Sequence, residues 1–135
     1  MPEQKTLHFD LSKETGHQQA VIAWAAQPTV RHRWPELALL YHVENERQCT
    51  AAQGAARKRM GVKKGVPDLC LPVQRGGYAG LYLEMKRPGG HVREEQHWWL
   101  EHLDMQGYCT AVCYGWEQAR DRLIAYMEMD REREH

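Results

Sequence analysis

Apolar and polar residues alternate in the manner of β-strands near the middle of the chain. Leu69–Val73 is a short, mostly apolar run, and Ala79–Met85 alternates larger apolar residues with other types. The stretch Gln74–Gly77 between them contains the paired glycines of a tight turn. The pattern therefore predicts a β-hairpin that spans residues 69–85.

Four further segments show the spacing of helices. Glu14 begins the first, in which alanine is frequent, and Pro28 is expected to end it. Thr50 is a suitable N-cap for the second, and Gly107 is suited to close the third. The predicted helices span residues 14–27, 50–60, 91–106 and 116–129, and the third has an expected apolar stripe of Trp98, Trp99, Leu103 and Met105.

Two more apolar runs, residues 37–43 and 108–114, predict further strands. The resulting order is helix, strand, helix, strand, strand, helix, strand, helix. This order fits an α/β fold with a central mixed β-sheet flanked by helices on both faces. A chain of 135 residues is enough for one domain. We expect that domain to span residues 14–129, between a loosely ordered arm (1–13) and a charged tail (130–135).

The formal net charge of the chain is zero, but the charges are unevenly distributed. Residues 1–67 carry a net charge of +4, and residues 68–135 carry one of −4. Five cations fall within eight residues just before the hairpin, where they would meet the phosphates of a nucleic acid. These predicted DNA-binding residues are Arg57, Lys58, Arg59, Lys63 and Lys64.

No stretch of the sequence is apolar over the length of a membrane span, and the beginning lacks the pattern of a secretory signal. We therefore expect a cytoplasmic protein with no membrane partner. Three of the four cysteines lie in apolar, strand-like runs, which favours reduced and buried thiols. His97 and His102 are five residues apart, which is one position beyond the helical spacing of paired zinc ligands.

Three ionisable residues of the hairpin region are expected to converge. Glu84 and Lys86 lie two apart in a strand, so their side chains point to one face. Asp68 follows Pro67 at the start of the partner strand, where a short turn brings its carboxylate beside Glu84. Neighbouring carboxylates need a positive charge between them, and oxygen ligands suit Mg²⁺ or Mn²⁺. The pattern indicates a metal-dependent phosphodiester hydrolase.

A simpler interpretation of the same residues stays open. Pro-Asp dipeptides and Glu-x-Lys triplets are each common by chance, so neither is evidence on its own. An ordinary surface hairpin with a Glu–Lys pair would contain both. Glu14 also suits the first turn of any helix, because the helix dipole favours an acid there. Gln96 would lie close to the end of the Glu84 strand, within reach of a metal-bound water or a phosphate.

Three short motifs carry a family resemblance. They are Gly-Val-Pro-Asp at 65–68, Glu-Met-Lys at 84–86 and Glu-Gln at 95–96. In this order they resemble the PD-(D/E)XK nuclease superfamily and, more narrowly, its VRR-NUC family, in the small stand-alone form common in bacteria and their phages. The resemblance extends over nearly the whole chain, from the helix with Glu14 to the last strand and helix. It implies a restriction-endonuclease-like fold.

The resemblance also implies metal-dependent cleavage of DNA, with Mg²⁺ as the ion and Mn²⁺ as a substitute. Asp68, Glu84, the backbone carbonyl of Met85 and, from the leading helix, Glu14 would be the metal ligands. Lys86 would position or activate the attacking water, with Gln96 in a supporting role. Stand-alone members act as homodimers on branched DNA, Holliday junctions in particular. Two alternatives remain, which are a nuclease acting on flaps, nicks or DNA ends and a non-catalytic DNA-binding module.

Overall fold

The computed structural model describes residues 8–44 and 50–131. Its centre is a four-stranded sheet in the order β1-β2-β3-β4. β1 (Tyr41–His42), β2 (Leu69–Leu71) and β3 (Leu81–Lys86) are successive antiparallel neighbours, and β4 (Cys109–Tyr114) runs parallel to β3. The sheet is mixed, and the predicted α/β architecture is confirmed.

Helices flank this sheet on both faces. Within the described residues they are α1 (Glu14–Ala25), α2 (Pro28–Arg33), a 3₁₀ helix (Pro35–Leu39), α3 (Ala51–Arg59), α4 (Glu94–Met105) and α5 (Trp116–Met127). α1 and α5 pack against each other and against β3. Their contact with the sheet forms the hydrophobic core, which includes Val21, Leu81, Leu83, Met85, Leu123 and Tyr126. The opposite face of β3 is directed at α4, because Gln96 of α4 bonds to Glu84.

The predicted hairpin between β2 and β3 is confirmed, although its strands are shorter than expected. Leu69 is paired with Leu83 in the antiparallel register. β2 stops before Pro72, which has no N–H group to continue the ladder. An isolated bridge between Arg75 and Tyr78 closes the turn. The register, which the site depends on, therefore holds despite the shorter strands.

The caps of two predicted helices differ in kind. Thr50 caps α3 as expected, since its hydroxyl accepts from the Gln53 N–H at 3.1 Å and the Gln53 side chain accepts from the Thr50 N–H at 3.1 Å. α4 has Arg93 at its N-cap instead of a serine or threonine. There the side-chain oxygen of Gln96 accepts from the Arg93 N–H at 2.8 Å, which supplies the cap from inside the helix.

The region between the two prolines departs from the prediction. Pro28 follows the end of α1, but it also begins α2, because its fixed φ and missing N–H suit a first helical turn. The strand predicted over residues 37–43 is wrong for most of its length. Pro35 begins a 3₁₀ helix there, and only Tyr41–His42 forms β1. Leu39 is 51% exposed, so the apolar run does not mark a buried strand.

The apolar stripe predicted for α4 is also wrong. Trp98 is 53% exposed and Met105 is 69% exposed. The one buried residue of α4 is a polar one, Gln96. The spacing of these apolar residues is too irregular to form a core-facing stripe. The helix instead directs the Gln96 amide towards the sheet.

The ends of the domain are tied to its body where the structure describes them. The His17 ring bonds to the Leu11 carbonyl at 2.8 Å, and the Gly76 N–H donates to the Asp130 carbonyl at 2.8 Å. The remainder of the predicted arm and tail, residues 1–7 and 132–135, lies outside the described residues, so the domain boundaries stay a prediction.

Three of the four cysteines are buried, free thiols, namely Cys70, Cys109 and Cys113, as predicted. Burial raises the pKa of the Cys113 thiol to about 11. Cys49 lies outside the described residues. None of the helices in residues 8–44 and 50–131 is long and apolar enough to cross a bilayer.

Candidate active site

Asp68 lies directly before β2, where the β2–β3 ladder ends. The register that pairs Leu69 with Leu83 places Asp68 opposite Glu84, one step further along, and opposed residues share one face of a sheet. The Oδ2 atom of Asp68 accepts the Met85 N–H at 2.8 Å. The Asp68 side chain therefore accepts the N–H of β3 that has no backbone acceptor from β2 beyond the end of the ladder. The two acidic residues are neighbours, as predicted.

The backbone of Asp68 is fixed from the other side by β1. Its carbonyl oxygen accepts from the Val43 N–H at 2.8 Å, and the His42 Nδ1 atom lies 2.9 Å from the same oxygen. Asp68 is only 2% exposed. The carboxylate is thus held by the Met85 N–H of β3, and the backbone carbonyl is held by two contacts from the β1 side. Little freedom of the residue therefore remains to be lost when a ligand binds.

Glu84 and Lys86 share one face of β3, as their spacing predicts. Both are buried, at 0% and 2% exposure, and Lys86 Nζ lies 3.7 Å from Glu84 Oε2. Glu14, at the start of α1, approaches the same ammonium with its Oε2 atom at 3.8 Å. Because the pair is buried, the interpretation as an ordinary surface Glu–Lys pair is wrong.

Gln96 connects this cluster to α4. Its Nε2 atom donates to Glu84 Oε2 at 3.1 Å, while its Oε1 atom accepts the Arg93 N–H at 2.8 Å. Both ends of the amide are therefore bonded, which fixes the side-chain orientation. Gln96 is 2% exposed, and it holds Glu84 in position by reaching across from the helix.

The acidic groups outnumber the basic group in this cluster. Ionised, the carboxylates of Asp68, Glu84 and Glu14 carry three negative charges, and Lys86 supplies one positive charge. An excess of negative charge in a buried setting favours a cation at the site. The Met85 carbonyl adds a further oxygen, because the N–H and C=O of one strand residue point to the same edge, here the edge that Asp68 occupies.

These oxygens fit Mg²⁺ or Mn²⁺ better than a softer metal. The described residues contain no group of three or more His, Cys, Asp or Glu side chains placed to enclose an ion. Two carboxylates, each bound through one oxygen, and a carbonyl would fill about half of an octahedral shell and leave the rest to water, which is how Mg²⁺ is usually held. The Glu14 carboxylate is directed at Lys86, so its role as a metal ligand stays a prediction.

The predicted DNA-binding cations lie at and after the end of α3. Lys58, Arg59 and Lys63 are exposed, whereas Arg57 forms an ion pair with Glu44 at 3.1 Å. The last of the five, Lys64, forms an ion pair with Glu95 of α4 at 3.7 Å. The last of these cations therefore contacts the residue next to Gln96 in α4, beside the acidic site.

His17 is a positioning residue that sequence reasoning missed. It is 4% exposed, its Nδ1 atom accepts the Trp116 N–H at 3.1 Å, and its Nε2 atom donates to the Leu11 carbonyl at 2.8 Å. The ring thus joins the beginning of α1, which carries Glu14, to the beginning of α5. The only signal in the sequence was a histidine one helical turn after Glu14, which does not by itself indicate such a role.

Comparison with known proteins gives the family and the fold. The protein-family model VRR-NUC domain matches residues 12–117. A solved structure, a VRR_NUC domain protein, matches with a TM-score of 0.73 and 28% sequence identity, over 88% of this chain and 91% of that chain. No curated protein matches. The matched segment contains all the residues of the cluster, from Glu14 to Gln96.

If Gln96 holds Glu84 and the start of α4 together, its removal destabilises the protein. In Gln96→Leu both hydrogen bonds of the side-chain amide are lost, while the side-chain volume is nearly unchanged. We expect the free energy of unfolding in urea to fall by about 1–3 kcal/mol. His97→Leu, at the neighbouring exposed position, serves as the control and should change stability by less than about 0.5 kcal/mol. Equal effects of the two substitutions would contradict the bridging role.

Proposed function

The chain belongs to the VRR-NUC domain family, a family of nucleases, and on this premise we propose that it is a divalent-metal-dependent endonuclease that hydrolyses phosphodiester bonds in branched DNA. The substrate we propose is the four-way Holliday junction, cut by a homodimer. The observation that carries the proposal is the buried cluster of Asp68, Glu84 and Lys86. A charged cluster of this kind is costly to bury and is typical of a site that performs chemistry.

Asp68, Glu84 and the Met85 carbonyl would hold Mg²⁺, or Mn²⁺ in its place, with Glu14 contributing from α1. When bound, the ion would stabilise the negative charge that develops on the scissile phosphate and make a water more acidic. Carboxylate and carbonyl oxygens are the hard ligands that Mg²⁺ prefers.

Lys86 has a separate part in the proposed reaction. Its ammonium lies between Glu84 and Glu14, so its position on the face of β3 is fixed before any substrate arrives. A fixed positive charge stabilises the phosphorane-like transition state without reorganisation, and its N–H groups can orient the attacking water. Gln96 supports this geometry by keeping Glu84 in place.

The cations at the end of α3 supply the proposed DNA contact. Exposed lysine and arginine side chains neutralise phosphates and position a nucleic acid without reading its sequence. Their location beside α4 would present the DNA backbone to the acidic site. The neutral net charge of the chain is consistent with binding through one local basic surface.

We expect Asp68→Asn to abolish cleavage but not binding. The substitution keeps the size of the side chain and an oxygen for the Met85 N–H, but it removes the charge that a metal requires. Cleavage of a four-way junction with Mg²⁺ should fall by roughly a hundredfold or more, with junction affinity within about threefold of the parent. Asp104→Asn, on the exposed side of α4, is the control and should cut normally.

Undiminished cutting by Asp68→Asn would end the proposal. A panel of four-way, flapped, nicked and linear DNA tests the substrate in the same assay. Faster cutting of a flap or a DNA end than of the junction would replace the proposed substrate, and salt-sensitive binding without any cutting would favour a non-catalytic module.

Metal binding is tested without reference to activity by calorimetry. We expect Mn²⁺ to bind the parent protein with a measurable heat that Glu84→Gln loses, because the amide keeps the shape of the side chain but offers no charge to the ion. Glu101→Gln, at an exposed position of α4, should leave the Mn²⁺ heat unchanged. Equal heats in all three proteins would place the ion elsewhere.

The proposed homodimer follows from the symmetry of the substrate. The described part of one chain carries one buried acidic cluster, whereas a symmetric cut at a four-way junction needs two clusters related by a two-fold axis. Light scattering should therefore give twice the 15.8 kDa mass of the chain. A mixed dimer of one parent and one Asp68→Asn subunit should nick a single strand. A monomeric mass at micromolar protein, or paired cuts by the mixed species, would contradict the dimer.

A further inference from the structure

The side chain of Met60 stands in solvent at the end of α3. It is 85% exposed, more than any other large hydrophobic residue that the structure describes. α3 itself has no buried residue, so no other residue of the helix anchors Met60 in the core. A single exposed apolar side chain is common on protein surfaces, so the meaning of Met60 depends on the charged residues around it.

The helix end that carries Met60 is rigidly built. Met60 is the C-cap residue, and Gly61 after it has a φ of 95°, the left-handed conformation that glycine adopts most easily. The Val62 N–H donates to the Arg57 carbonyl at 3.0 Å, and the Gly61 N–H donates to the Lys58 carbonyl at 3.0 Å. These two bonds form a Schellman motif. With the capping box at Thr50, both ends of α3 are fixed, and Met60 projects in a defined direction.

The charges around Met60 identify the kind of partner. Five cations surround it in sequence, three before it and two after it, and the exposed ones are Lys58, Arg59, Lys63 and Lys64. Protein interfaces have few lysines near their apolar centre, so a protein partner fits this surface poorly. Closely spaced cations suit the phosphates of a nucleic acid. An apolar tip among phosphate-binding cations is the pattern of a DNA-bending wedge.

The basic segment is attached to the body on the side of the acidic cluster. The Trp99 indole N–H donates to the Lys64 carbonyl at 3.0 Å. Lys64 also pairs with Glu95, whose pKa is lowered first by its own backbone N–H and further by the charges of Lys64 and Arg93. The four residue-to-residue steps from Met60 to Lys64 span at most about 14 Å of chain. Since Lys64 contacts Glu95 and the adjacent Gln96 contacts Glu84, Met60 and the acidic cluster can contact DNA within roughly one helical turn of about 34 Å.

We propose that Met60 is a wedge that inserts between bases at the branch point of the DNA while the neighbouring cations hold the flanking phosphates. Methionine is unbranched and flexible, which suits entry into a gap between stacked bases. At a branch point the stack is already interrupted, so opening the gap costs less than in a linear duplex. The wedge thus favours branched over linear DNA. It deepens the proposed function, and it requires that the chain binds DNA.

Binding and base unstacking are measured in the Asp68→Asn background, in which the DNA stays intact. The probes are a four-way junction and a linear duplex, each with 2-aminopurine at the central position. We expect Met60→Ala to weaken junction binding roughly tenfold and linear binding less than about twofold. The rise in 2-aminopurine fluorescence on junction binding should disappear in Met60→Ala and persist in Met60→Leu, which keeps an apolar side chain of similar volume.

Met105→Ala is the matched control, because Met105 is also exposed, at 69%, but has no cations beside it in sequence. It should behave like the parent in both measurements. Truncation of Met60 removes no packing, so the variants fold alike. Equal losses on both DNAs, or unchanged junction binding and fluorescence in Met60→Ala, would overturn the wedge. So would Met60-dependent binding to phosphatidylserine vesicles in a protein that does not bind DNA.

The wedge and the proposed nuclease activity fail separately. A parent protein that cuts no DNA but shows Met60-dependent unstacking keeps the wedge and loses the nuclease. Cleavage of junctions by Met60→Ala at the parent rate, with parent-like fluorescence, keeps the nuclease and loses the wedge.

Discussion

The buried ammonium of Lys86 is the interaction on which the site depends. Carboxylates from β3 and α1 lie within 4 Å of it, and Lys86 is only 2% exposed. A buried charge that loses its partner costs several kcal/mol, so each of these groups is required by the others. The same pairing fixes the start of α1 against the end of β3. Local stability and the geometry of the proposed chemistry are therefore two results of one charge arrangement.

The sheet determines how the charged side chains of this cluster are placed. Alternation along β3 sends Leu83 and Met85 into the core and Glu84 and Lys86 to the opposite face. The core thereby holds the strand while the polar face carries the site. α4 completes that face with a single buried residue, Gln96, instead of an apolar stripe. Because α4 contributes an amide rather than a hydrophobic surface here, the Oε2 atom of Glu84 receives a hydrogen bond.

The sequence predicted the central part of the structure because its signals there are local. The hairpin register follows from a period of two and a glycine turn, and the register alone brings Asp68 beside Glu84. The structure between Pro28 and Leu39 could not be predicted in this way, since proline can either end a helix or begin one and the outcome depends on packing. The burial of Gln96 and the bridging position of His17 depend on contacts between distant segments. Such contacts leave no trace in a local pattern.

The separation of α3 from the packed body has a consequence for how the protein can change. A helix without buried residues contributes little to global folding, because its own capping bonds rather than contacts with the core hold it. Substitutions on it are therefore nearly free of a stability cost, whereas those on β3 are not. The length and charge of α3, and the residue at its end, can therefore change while the sheet stays constant. A single scaffold can in this way change its surface without risking its fold.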